Sequence, residues 1–197
     1  MRLLLCPEQE FTDACFSKCP DIEVRKVVWG DFPGIQALAT FPCRMYTCDF
    51  RRSVFSSKYI EPIRFLPVFP EMMRAFARSG GLANVLVAGS KENIVGIAHI
   101  RRLPGNAQRH IAEFDFYVHD NFVDKTEHLI RTTIKESKSL FIKRINCYCL
   151  GCDHLKRDII GRLGGKQVAV LPGNILVGSK YEDVLVYQFG ECVYAKD

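Results

Sequence analysis

Glu113 and Asp115 are the side chains whose type and spacing best suit chemistry in this chain. They stand two residues apart in the stretch 110–118, where apolar residues take alternate positions. The stretch therefore reads as a strand, and both carboxylates leave the same face of it. A carboxylate so placed can take a proton from an arriving ammonium, whose nitrogen must be neutral before it can attack an electrophile. The plainer alternative is a solvated sheet face on which both acids only aid solubility. His99, His110 and His119 fall on or beside neighbouring expected strands and could converge on one cleft, although a histidine on a strand is as readily structural. Cys147-x-Cys149-x-x-Cys152-x-His154 gathers zinc-ligand types. A flat strand spaces two thiolates poorly for one tetrahedral ion, and Cys147 and Cys149 read equally as small apolar residues facing a core. Neither Cys15-x-x-x-Cys19 nor Cys43-x-x-x-x-Cys48 supplies a second well-spaced pair, so no metal site is assigned.

These residues need elements to hold them. After the strand at 110–118 come the turn His119-Asp120-Asn121-Phe122 and a helix over 124–140. A second strand, 144–150, leads to Asp153, a good N-cap for a helix that ends at Gly164-Gly165. A helical crossover between the two strands requires that they run parallel. A strand feeding a helix N-terminus also suits an anion, since backbone N–H groups and the helix dipole point there. Upstream, 24–39 reads as a strand and a helix capped by Asp31, and 85–89 with 94–100 reads as a hairpin. Residues 70–79 read as a short helix ended by Gly80-Gly81, and 9–16 as another.

In this order and spacing the chain resembles the GNAT superfamily of acyl-CoA-dependent N-acetyltransferases, over most of residues 22–189 with 41–69 unmatched. The resemblance implies an α/β fold: a mixed, mostly antiparallel central sheet with two splayed parallel strands, and helices on both faces. It implies acetyl-CoA as co-substrate and a small-molecule or protein amine as acceptor. Glu113 falls where many members carry the glutamate that deprotonates the amine, with Asp115 beside it. The donor would meet Tyr117 and Val118 at the strand's end, then Val123, Asp124, Lys125, Thr126, Glu127 and His128, and Asp153 on the late helix. The chain departs from the family's motif here. Val123, Thr126 and His128 stand where an arginine or glutamine and two glycines are usual, and Asp124 and Glu127 add negative charge to an anion site. Ile160 takes the place of the usual tyrosine acid; Tyr117, Tyr148, Cys149 and Cys152 are candidates to replace it. The alternative function is a GNAT-fold binding module that has lost CoA.

Composition agrees with one such domain. The chain has 197 residues, 48% of them hydrophobic, enough to fill a single core. We read 1–21 as an N-terminal extension and 22–197 as the domain, with 41–69 as a variable substrate-side segment dense in aromatics and arginines. That segment is expected either to form a lid over the acceptor or to complete the core. No apolar run of roughly 18 residues occurs, and the start is too short in apolar residues for a signal peptide, which predicts a cytoplasmic protein without membrane segments. The net charge of +5 is mild, and Lys135, Lys138, Lys143, Arg144, Lys156, Arg157, Arg162 and Lys166 read as a solvated surface. One short basic cluster at Arg51 and Arg52 does not make a nucleic-acid surface. The last strand, 184–189, is a candidate for pairing across a homodimer.

Overall fold

The structure, a computed structural model, describes residues 15–40, 43–46, 70, 73, 74, 81–89, 93–103, 106–177 and 179–189. Most of the segment 41–69, the helix expected over 70–79 and nearly all of that near 9–16 lie outside the described residues.

Strand β1 (Ile22–Lys26) leads through a 3-10 turn (Trp29–Asp31) into helix α1 (Phe32–Thr40). Strands β2 (Leu82–Ala88) and β3 (Asn93–Arg102) form the expected hairpin, followed by β4 (Ile111–Val118). A 3-10 turn (Asp120–Lys125) enters α2 (Thr126–Glu136). Then come β5 (Arg144–Leu150), α3 (His154–Arg162), β6 (Lys166–Val177) and β7 (Lys180–Phe189). The seven strands make one sheet in the order β1-β2-β3-β4-β5-β7-β6. Among the described residues only β4 and β5 pair in parallel; the other five pairings are antiparallel. The mixed sheet, its parallel pair and helices on both faces are the architecture the sequence implies.

β2 and β3 are buried along almost their whole length, as strands covered on both faces must be. α2 buries Leu129, Ile130, Thr133 and Ile134, a stripe at helical spacing laid over β3 and β2. The Asp153 carboxylate caps α3 by accepting from Lys156 N at 2.9 Å. That helix ends at Gly164, whose φ of 83° suits a residue without Cβ. At Gly165 a Cβ would come within 2.5 Å of Ile160 Cγ2, so the chain returns to the sheet only because this position has no side chain.

Several expectations are corrected. Asp31 does not cap α1: its carboxylate turns back to Val28 N (2.7 Å) and holds Arg25 through two bonds of 2.7 and 2.9 Å. The N-terminal extension read over 1–21 joins the core at its described end. Phe16 is buried in the core and stacks on His119 with ring centroids 4.3 Å apart. β7 lies between β5 and β6, so both edges of its main chain are engaged and 184–189 cannot pair with a second copy. The free edges of the described sheet are β1 and β6, and β6 exposes Val168, Val170 and Leu176.

Candidate active site at the parting of β4 and β5

β4 and β5 pair from Ile111↔Arg144 to Phe114↔Cys147 and then separate. Each stays with its other neighbour: β4 follows β3 to Val118↔Gly96, and β5 follows β7 to Leu150↔Val184. The parting is thus built by two diverging ladders, and it opens where both strands deliver their C-terminal ends.

Asp115 is the first β4 residue beyond the last pair, opposite His99 on β3. Both are buried. The side chain of Lys156 enters the opening from α3 and is wholly buried there. Its Nζ bonds to Asp115 Oδ1, donates to the Tyr46 carbonyl at 2.9 Å, and lies 4.8 Å from the Phe116 ring centroid. Asp115 Oδ1 also accepts from Phe116 N at 2.8 Å. Burial pushes the Asp115 carboxyl above its ordinary range, while Lys156 and then His99 pull against it. Glu113 lies lower, in the paired part of the strand, and its Oε2 accepts from Arg101 Nη2 at 3.0 Å. Its side chain is 12% exposed and that of Asp115 is 6%, so the solvated-face alternative is overturned for both acids. The paired ends place Glu113 below the opening and Asp115 within it.

Lys156 also corrects the reading of the basic residues as surface. Its position had a signal: it falls three and four residues before the buried Ile159 and Ile160, on the helix face that meets the sheet. Arg157, beside it, is half-buried and places Nη1 on the Gly151 carbonyl at 3.0 Å.

Residues 43–46 bridge the lips of the opening. Arg44 N donates to Asp120 Oδ1 (3.0 Å), beyond the end of β4, and Tyr46 N donates to Asp153 Oδ2 (2.7 Å), beyond the end of β5. Met45 and Cys43 are buried. Tyr46 packs against the small cluster of Leu150 and Val184. Cys43 lies against Tyr117, whose hydroxyl is pushed far above its ordinary range by burial and then by Cys43. Nothing in the sequence links 43–46 to positions 120 and 153, since these contacts span 76 and 107 residues.

The remaining positions expected to touch the donor are placed as follows. Val118 sits over Gly96, and a Cβ there would meet Val118 Cγ2 at 3.0 Å. Asp124 pairs with Lys125 at 3.1 Å and Glu127 with Arg131 at 2.7 Å, so much of the local negative charge is answered within the turn and helix. Val123 is half-buried, His128 is exposed and Thr126 is buried. The helix proper begins only at Thr126, and the 3-10 turn before it uses one donor expected to be open to a phosphate, since Thr126 N bonds to Val123 O. Thr126 Oγ1 has no hydrogen-bond partner among the described residues and is sealed from solvent. As folded, the site does not fit the donor. Tyr117 and Asp153 are met by 43–46, Lys156 fills the opening, and the Thr126 amide is taken by Val123 O.

The histidines do not converge. His110 and His119 flank β4 at opposite ends, and His99 lies between them beside Asp115. His119 Nδ1 accepts from Asn121 N at 3.2 Å, and burial lowers the pKa of its imidazole. Cys147 and Cys149 are buried on β5. Among the described residues no three His, Cys, Asp or Glu side chains are grouped to hold a metal.

No family model and no curated protein matches the sequence. Solved structures do match in shape. A ribosomal-protein-alanine N-acetyltransferase from Brucella melitensis is 15% identical with a TM-score of 0.66, over 85% of this chain and 99% of that one. A spermidine N-acetyltransferase chimera of Vibrio cholerae and human sequences is 14% identical with a TM-score of 0.67, over 89% and 99%. A GNAT-family acetyltransferase from Streptococcus pneumoniae is 10% identical with a TM-score of 0.67, over 86% and 99%. This chain shares the fold of these acetyltransferase structures.

Proposed function

We propose that the chain is an N-acyltransferase that moves an acyl group, in the first place acetyl, from acyl-CoA to a primary amine. The reading is supported by one arrangement: a parallel pair that parts after Phe114 and Cys147, with the Asp115 carboxylate carried into the opening. A carboxyl whose affinity for protons is raised by burial suits a base that must take a proton from an ammonium near neutral pH. Glu113 is the second carboxylate for that role, two residues away on the same face. The acceptor follows from the fold's chemistry only as a class, an amine of a small molecule or a protein. Among the described residues no helix is long and apolar enough to cross a membrane. The cytoplasm is our proposed location. Self-association, if it occurs, is proposed at the β6 edge.

A second reading has its own observation. Lys156 and residues 43–46 fill the opening, and Val123, Thr126 and His128 stand in the phosphate turn. These favour a binding module of this fold without CoA. Calorimetry with acetyl-CoA and with free CoA separates the two: heat of binding from either supports the acyltransferase, and a silent titration of folded protein supports the module.

A further inference from the structure

We infer that residues 43–46 are a latch that closes this chain's own donor cleft, and that acyl-CoA enters only when the latch lifts. The inference rests on the acyltransferase reading and adds its regulation.

Among the bonds that hold the latch, three use a charged group of the cleft. Asp120 accepts from the amide of Arg44, Asp153 accepts from the amide of Tyr46, and Lys156 donates a hydrogen bond to the Tyr46 carbonyl. Charge-assisted bonds are roughly twice as strong as neutral ones, which favours the closed state. The main chain of 43–46 meets Asp120, Asp153 and Lys156, and the Arg44 side chain also lies 3.4 Å from Asp120 Oδ1. The arm of acyl-CoA carries amides and can compete for the main-chain partners. Asp120 and Asp153 belong to different lips, so lifting the latch also frees both lips at once. With Tyr46 O removed, the Lys156 ammonium keeps Asp115 and has a donor to offer an anion. The side-chain anchor is separate, because Tyr46 packs into the small cluster around Leu150 and Val184.

Cys43 gives a direct readout. Its thiol is buried at one end of the latch, while Cys147 is buried on β5 away from it and reports general unfolding. Iodoacetamide labelling of both, resolved by mass spectrometry, is followed in the wild type, in Asp120→Ala and in Tyr46→Ala. Asp120→Ala removes the Arg44 anchor at a side chain that is 31% exposed. Losing one such bond should raise the Cys43 rate about tenfold, ~1.4 kcal/mol, with Cys147 unchanged. Tyr46→Ala should do the same through packing alone. Saturating acetyl-CoA should also raise the Cys43 rate in the wild type, and both variants should bind it more tightly. If Cys43 is labelled no faster in either variant, the latch is overturned. The same follows if acetyl-CoA binds the wild type and leaves Cys43 protected, although the acyltransferase reading then stands. If the variants expose Cys43 and still bind no acetyl-CoA, the acyltransferase reading falls and takes the gating with it.

Discussion

Lys156→Met tests whether the opening between β4 and β5 is built around a buried charge pair. The side chains of Lys156 and Asp115 are 0% and 6% exposed, and methionine keeps most of the length and volume of lysine. The substitution therefore removes the charge with little change in packing. It leaves a carboxylate without its main compensating cation, loses the bond to the Tyr46 carbonyl, and loses the cation over Phe116. Removing one partner of a buried pair costs about 3–5 kcal/mol, a large part of the 5–15 kcal/mol typical of a whole domain, taken as a rough scale. The penalty also depends on pH. Burial already raises the Asp115 carboxyl, and without Lys156 it rises further. A group whose folded pKa is raised stabilises the fold below its unfolded value, about 3.9 for Asp, and loses that stabilisation as pH climbs through the folded value. The variant should thus lose stability between pH 4 and 8 more steeply than the wild type. Urea unfolding at pH 5 and pH 8 measures it. The deficit should widen by more than ~1 kcal/mol at the higher pH. Adding Asp115→Asn, which keeps an acceptor for Phe116 N, should recover more than half of the loss and flatten the pH dependence. A deficit below ~1 kcal/mol, or one equal at both pH values, would refute a compensated buried charge here.

Other outcomes follow from the same geometry. Where Glu113, and not Asp115, is the base of a working acyltransferase, Glu113→Gln should lower turnover by a factor of ~10² to 10⁴ with acetyl-CoA affinity nearly unchanged; wild-type turnover at every pH would remove Glu113 from the chemistry. Replacing Asp124, Thr126 and His128 together by glycine should strengthen CoA binding in a titration, at a cost near 1 kcal/mol per helical glycine. A folded variant that binds no better would show that the turn is not what limits affinity. His119 is held neutral by burial and accepts from Asn121 N, so its contribution to stability should be full above about pH 6.5 and lost as pH falls through its lowered value. His119→Asn keeps an acceptor at that cap and should abolish the loss; an unchanged acid limb of the urea midpoint would exclude His119 as its source.

Much of this protein is local, and what is local was legible in the chain. Alternation of apolar residues marks β4 and β5, Asp153 and Gly164 mark the ends of α3, and the spacing of the crossover helix requires β4 and β5 to be parallel. Each of those follows from backbone geometry within a few residues. The acids at 113 and 115 were legible as a pair, because a strand's period of two puts them on one face. Their difference was not. One meets Arg101 in the paired part of the sheet and the other meets Lys156 in the opening, and only the point where two ladders diverge decides between them. Lys156 shows the same limit from the other side. Helical spacing puts it on the buried face, but a lysine can be buried only where a carboxylate waits, and Asp115 is 41 residues away. The latch is farther still from sequence reasoning. Its bonds run from main-chain groups of 43–46 to Asp120 and Asp153, and main-chain groups are common to every residue, so their partners are chosen by the path of the chain through space.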